Sequence, residues 1–576
     1  MKEKYRIPVL GGLIYGCILI LMSRFFFAYV GNIVGKISRL VGMDEITANQ
    51  IGEALGQLKE ASVKSPYLIV FIAGILIAGL FSIFIRKCKR KKLVTIVVSV
   101  LMSLPLTLAV LFFTEINGIR PASAVFKTTE KVENRTVTYE SSGDDWYAGF
   151  GRRQILPDEN SEQPLYIAGY NNGVEIADVL DYCEARAIWL DTGDKGVLLI
   201  GVDCIALDSS VVNKIRESLA DIPDCVSIQV YSTHTHAGVD TLGMWGPIGI
   251  DGKNDAYMEN LIQAAVEAGK EAVENRTKGE MYFAQIKTEN MYRDSRNPQV
   301  YDENLYQLHF KAEDKTSGIR LFSYGAHPES LRGANRLLSR DFAGRLCDEV
   351  AKETGDNTMF APGAIGGLIM TKEFTNAGVN AVGNLEYTTE ALVKYALAIS
   401  EDMENRIAPQ MTFGSKNCVV PMDNTAFWIY KLLGILNNKE VRAESTTGYG
   451  VETEVSVLKL DNLAIALIPG EIFPELVYGG EYGDAGIGEE NPEPLVQIAE
   501  EYGIEDLVIV GLANDEIGYI VPPTDFLINE KLPYLERTMD DTGEDHYEET
   551  NSIGIECANV IAETFEENLI LMDKNQ

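Results

Sequence analysis

An α/β fold is predicted for most of this chain, preceded by three transmembrane α-helices, and two observations predict it. The first is a strand–helix–strand order. Val197–Ala206 and Val226–Ser232 are short, apolar and β-branched, and Ser209–Ala220 between them is an amphipathic helix, with Tyr257–Asn275 a further helix downstream. The second is a break in composition. Residues 1–119 hold 14 Lys/Arg and 6 Asp/Glu, whereas the remainder holds 36 and 78, so a basic, apolar segment precedes a strongly acidic one.

The basic segment, residues 1–119, has three apolar runs: about 7–30, interrupted by Arg24, then 67–85 and 93–113. Each is long enough to cross a hydrocarbon core of about 30 Å at about 1.5 Å per residue. No small-residue cleavage site follows the first run and two more spans come after it, which argues against a signal peptide. Between the second and third runs, Arg86 to Lys92 supplies six basic residues in seven, so that turn is expected in the cytoplasm. The amino terminus then lies inside and residues 120–576 lie outside. A multi-pass protein of the cell membrane with an extracytoplasmic domain is the expectation. The link between the first two runs reads as helical along Ile46 to Val63 and is expected at the outer membrane face.

The acidity of residues 120–576 excludes nucleic acid as a partner and disfavours an anionic membrane surface. A polar, β-branched stretch from Arg120 to Asp145 is the expected linker, and a second soft boundary lies near Ile407–Pro421. Six cysteines in this part include no Cys-x-x-Cys pair and form no dense disulfide framework.

Chemistry concentrates in the histidines, of which there are five. Val226–Tyr231 reads as a buried strand leading into Thr233-His234-Thr235-His236-Ala237-Gly238. If the strand continues, a period of two puts both imidazoles on one face, at a strand end where α/β folds build sites. The tripeptide alone fits a packed strand end as well as half a zinc site. His327 follows a second short strand, Phe322-Ser323-Tyr324. His309, inside Tyr306–Phe310, reads as a satisfied strand residue, and His546 is open to either reading.

Several motifs together resemble the neutral/alkaline ceramidases and their bacterial relatives, in order along roughly residues 146–554. They are Tyr147-Ala148-Gly149-Phe150-Gly151 with Ile167-Ala168-Gly169-Tyr170; the strand ending in Asp203; the His-Thr-His segment; His327-Pro328-Glu329-Ser330, where the family has His-Pro-Thr-Ser, with Ser339 to Gly344; Pro469-Gly470-Glu471; Gly511 to Tyr519; and His546 to Ser552. The resemblance implies a mixed-sheet ceramidase-like catalytic domain and a zinc-dependent amidase acting on an N-acyl sphingolipid. It implies zinc ligands His234, His327, Glu471 and Tyr519, with His236 as a catalytic proton shuttle beside them. A family arginine that contacts substrate is matched by Arg293 or Arg296, and Arg293 is taken as substrate-binding. The expected partners are a lipid or other N-acyl amide and the membrane. The immunoglobulin-like domain of family enzymes has no room in the 57 residues after Tyr519.

One departure stands against these matches. The family's Gly-Asp-Val-Ser-Pro motif, whose serine acts at the scissile amide, is replaced by a segment with Gly367 for the aspartate and Ile369 for the serine. Isoleucine neither donates a hydrogen bond nor attacks a carbonyl. Two functions therefore stand: a hydrolase relying on zinc and water, or a catalytically inactive zinc-containing relative that binds a lipid or partner.

Overall fold

The computed structural model describes residues 132–574, apart from 248–249, 314–317, 368 and 373–376. The three expected spans lie outside the described residues. Among the described residues, no helix is long and apolar enough to cross a membrane.

The described chain opens with β1 (Thr136–Ser142) and β2 (Trp146–Gln154), followed by β3 (Glu184–Asp191) and β4 (Gly196–Val202). Helix α1 (Ser209–Ser218) crosses to β5 (Cys225–Ser232), and α2 (Asp255–Glu274) leads into β6 (Thr277–Lys287) and β7 (Asn304–Ala312). Next come β8 (Ile319–Tyr324), α3 (Asp341–Thr354) and β9 (Asn357–Pro362). These strands form one sheet in the order β9-β8-β7-β6-β2-β3-β4-β5, with β10 (Asn405–Ile407) paired to β6. The sheet is mixed: β4 and β5 are parallel, as are β8 and β9, while the strands between run antiparallel. A parallel pair needs a crossover, and α1 and α3 supply the two at opposite edges.

A second sheet gathers β1 with β11 (Gln410–Pro421), β12 (Glu440–Arg442), β13 (Tyr449–Leu460), β14 (Leu463–Leu467) and β15 (Asp506–Val510). Its inner face packs on the first sheet through one apolar core, in which Ile188, Leu199, Phe283 and Leu321 meet Phe413, Leu458, Ile465 and Val508. α1 and α2 cover the outer face of the first sheet. Helix α4 (Cys557–Asp573) covers the second with Ile561 and Phe565 against Val455, Val457 and Ala466. The result is a four-layer α/β/β/α stack. Gly149 and Gly151 allow α2 to lie on β2, since a Cβ at either would stand 2.0 or 2.1 Å from a carbonyl oxygen of that helix.

The expected strand–helix–strand order is observed. The first strand is shorter than expected, ending at Val202 rather than Ala206 because Asp203 to Asp208 turns away to start α1, where Asp208 caps the first turn by accepting from Ser210 and Val211.

Candidate metal centre

His234 lies two residues past β5 and His327 three past β8, so the two crossover edges deliver one imidazole each. The approach to His234 is fixed by Thr233, whose hydroxyl donates to Asp203 at 3.1 Å. Asp203 also accepts the Glu184 amide. Burial pushes its carboxyl up to about 6 against the pull of Arg340 and Arg186.

The strand does not continue through His-Thr-His, contrary to the expectation from its period. It ends at Ser232, and His234 adopts φ +64°. The rings converge through this turn instead of through a pleat. His234 and His236 meet edge to face with centroids 4.7 Å apart, and His327 lies 4.9 Å from the first and 5.5 Å from the second. One potential ligand atom from each of the three lies within 4.8 Å of the others.

Backbone carbonyls orient two of these rings. His234 Nδ1 is 2.7 Å from Ile205 O, and His327 Nδ1 is 2.7 Å from Ile369 O. A carbonyl only accepts, so both Nδ1 atoms carry protons and a neutral ring offers its Nε2 lone pair to the centre. Glu471 Oε2 stands there, 2.9 Å from His327 Nε2 and 3.5 Å from His234 Nε2. Burial alone would raise the Glu471 carboxyl, but His234 and His327 outweigh it and hold it far below the usual carboxylate range. Tyr519 sits beside Glu471 because two-residue strands pair these residues directly; burial, then Glu471, pushes its hydroxyl well up. Burial, with His234 and His327 adding to it, drives His236 well down and keeps that ring neutral. The three imidazoles and the Glu471 carboxylate converge, with the Tyr519 phenol beside Glu471, an N/O donor set of the kind zinc takes.

His234, His236, Glu471 and Tyr519 open onto a cleft of about 850 Å³, open solvent at its mouth included. His327 is fully buried behind them. The far walls are largely apolar, with Leu242, Met244, Trp245, Met422, Phe427 and Leu436.

Arg293 is exposed on a two-residue strand and is not among the residues lining the cleft. Arg296 is buried, donating to Asp525, Glu548 and Glu549 and standing 3.0 Å from His546 Nδ1. This ionic cage also accounts for His546. His309 lies between Glu404, 2.5 Å from Nδ1, and Asp356, 3.4 Å from Nε2, as expected of a satisfied strand residue. Ile369 is fully buried among apolar side chains, and its backbone carbonyl does the orienting of His327. The Thr371 carbonyl accepts from Arg332 Nη2, and Thr371 does not line the cleft.

Sequence reasoning missed two acids. Glu516 lines the cleft, three residues before Tyr519, with its carboxyl pushed well up by burial and by Glu471. Glu329 lies 3.7 Å from His236 Nδ1. The signal for it was the acid in place of the family's threonine, two residues after His327.

Solved structures share this architecture. The neutral ceramidase of Pseudomonas aeruginosa superposes with a TM-score of 0.58 at 15% identity over 75% of each chain. A ceramidase complexed with C2 gives 0.56 at 14% identity, over 75% of this chain and 76% of the other. The fold is ceramidase-like. No family model and no curated protein sequence matches the chain.

Proposed function

We propose that this protein is a membrane-anchored, zinc-dependent hydrolase of an amide bond, with an N-acyl lipid of the ceramide type as substrate class. The observation that carries the reading is the convergence of three imidazoles with Glu471 and Tyr519 at the floor of an apolar cleft, on a ceramidase-like fold. His234, His327, Glu471 and Tyr519 would hold the metal, which when bound supplies a Lewis acid that activates water and polarises a carbonyl oxygen. The neutral His236 ring, at the mouth of the centre, takes a proton from water and returns it to the leaving amine. The apolar walls receive the acyl chain and exclude bulk water. Anchoring by the amino-terminal spans holds such a site near its lipid.

Ile369 supports a second reading, an inactive relative that binds zinc and lipid, because no hydroxyl replaces the family serine at that position. Metal analysis of the purified full chain, paired with turnover of a panel of N-acyl lipids before and after chelation, separates the two. The hydrolase reading expects about one zinc per chain and an activity that a chelator abolishes and zinc restores. Stoichiometric zinc and lipid binding with no turnover of any N-acyl amide would establish the binding protein instead.

A further inference from the structure

His236 differs from its two neighbours in how its ring is held. The Nδ1 atoms of His234 and His327 each meet a backbone carbonyl, whereas His236 Nδ1 is buried without a hydrogen-bond partner. A carboxylate faces it: Glu329 Oε2, at 3.7 Å. A displacement of about 0.7 Å brings that pair into hydrogen-bonding range. Glu329 is itself buried and doubly tethered, by the Tyr170 hydroxyl on Oε2 and by Arg332 Nη1 on Oε1 at 3.0 Å. Arg332 is anchored in turn to the Thr371 carbonyl at 2.9 Å. Gly169 leaves the space the ring needs, since a Cβ there would come within 2.5 Å of His236 Nδ1. On its other side, His236 Nε2 is 3.1 Å from His234 Nε2, so the ring's second nitrogen already faces the centre.

We propose that Glu329 is the positioning residue of His236: it accepts the Nδ1 proton, so that Nε2 faces the metal centre as a lone pair. It does for this ring what the Ile205 and Ile369 carbonyls do for the other two, as a carboxylate partner commonly does beside a metal-site histidine. The threonine found in the related motif carries its oxygen two bonds closer to the backbone and has no charge to offer. This chain thus differs at two positions around the same centre, with an apolar residue at 369 and an acid at 329 behind the remaining proton carrier. The inference rests on the metal reading above.

The test is made on the zinc-loaded full chain labelled with ¹⁵N-histidine, whose ring shifts separate protonated from bare nitrogens; His236→Asn assigns the signals. Wild-type His236 is expected with Nδ1 protonated and Nε2 bare. Glu329→Thr is expected to split that population between the two ring nitrogens, with Glu329→Gln in between. A wild-type His236 protonated on Nε2 overturns the proposal, and so does a Glu329→Thr chain with unchanged ring shifts. If Glu329→Thr does not fold, the wild-type spectrum and Glu329→Gln decide. A chain that takes up no zinc fails the metal reading and carries this inference with it, whereas bound zinc with the wrong tautomer sinks this inference alone.

Discussion

At the scale of single residues, the centre depends on a turn the pattern of side chains does not announce. His234 at φ +64° occupies a left-handed conformation that costs a non-glycine residue about 1–2 kcal/mol. The gain is a ring aimed at Glu471 instead of along the pleat. The residue types were legible: three of five histidines followed short apolar strands, and the acid of Pro-Gly-Glu stood at a strand tip. The partners behind them were not, because Glu329 and Tyr170 lie 159 positions apart and meet only through the fold. His234→Ala and His327→Ala are each expected to abolish zinc binding by metal analysis of the full chain. His309→Ala is expected to keep it, since that ring is engaged by Glu404 and Asp356 within the sheet. Zinc retained at full occupancy in both of the first two variants would remove them from the ligand set.

At the scale of elements, the α1 crossover was readable from its apolar periodicity, while the pairing of the carboxyl-terminal strands was not, since register between distant segments is set by tertiary packing. The loop from Gly511 to Gly518 joins β15 to the strand bearing Tyr519, and it is fastened to the start of α1. Asp515 accepts the Ser209 amide at 2.8 Å and Asn438 Nδ2 at 2.6 Å. Its other oxygen, like Asp208 Oδ2, is buried without a partner. Burial, then the nearby Asp208, pushes the Asp515 carboxyl up to about 7. A folded-state pKa raised above the unfolded value favours the folded protein when the group is protonated. The contribution is therefore complete below the ordinary aspartate value of 3.8 and is lost as pH rises through about 7. Asp515→Asn keeps the accepting oxygen and removes the charge. Urea unfolding across that window is expected to show a flatter stability profile than wild type and higher stability at neutral pH; parallel profiles would contradict the assignment. Ile369→Ser tests the neighbouring segment. Replacing a fully buried isoleucine by a hydroxyl in apolar surroundings is expected to cost about 2–4 kcal/mol in the same assay. Turnover that rises on this substitution would show that the missing serine limits the chemistry.

At the scale of the whole molecule, the acidic composition of residues 120–576 and the basic run Arg86–Lys92 carry the proposed orientation. A cysteine at Lys89 is expected to resist a membrane-impermeant thiol reagent on intact cells, while one at the exposed Asn160 reacts. The opposite pattern would place the domain inside. The candidate ligands span from His234 to Tyr519, on segments that follow strands of both main sheets. No fragment ending before β15 contains the full set, and contacts so far apart in sequence form late in folding. On the proposed metal reading, acquisition of the ion is a finishing step, expected to follow the docking of the two sheets. A bound ion would tie the first half of the domain to the second and raise the barrier to their separation, so zinc-loaded protein is expected to outlast metal-free protein under proteolysis.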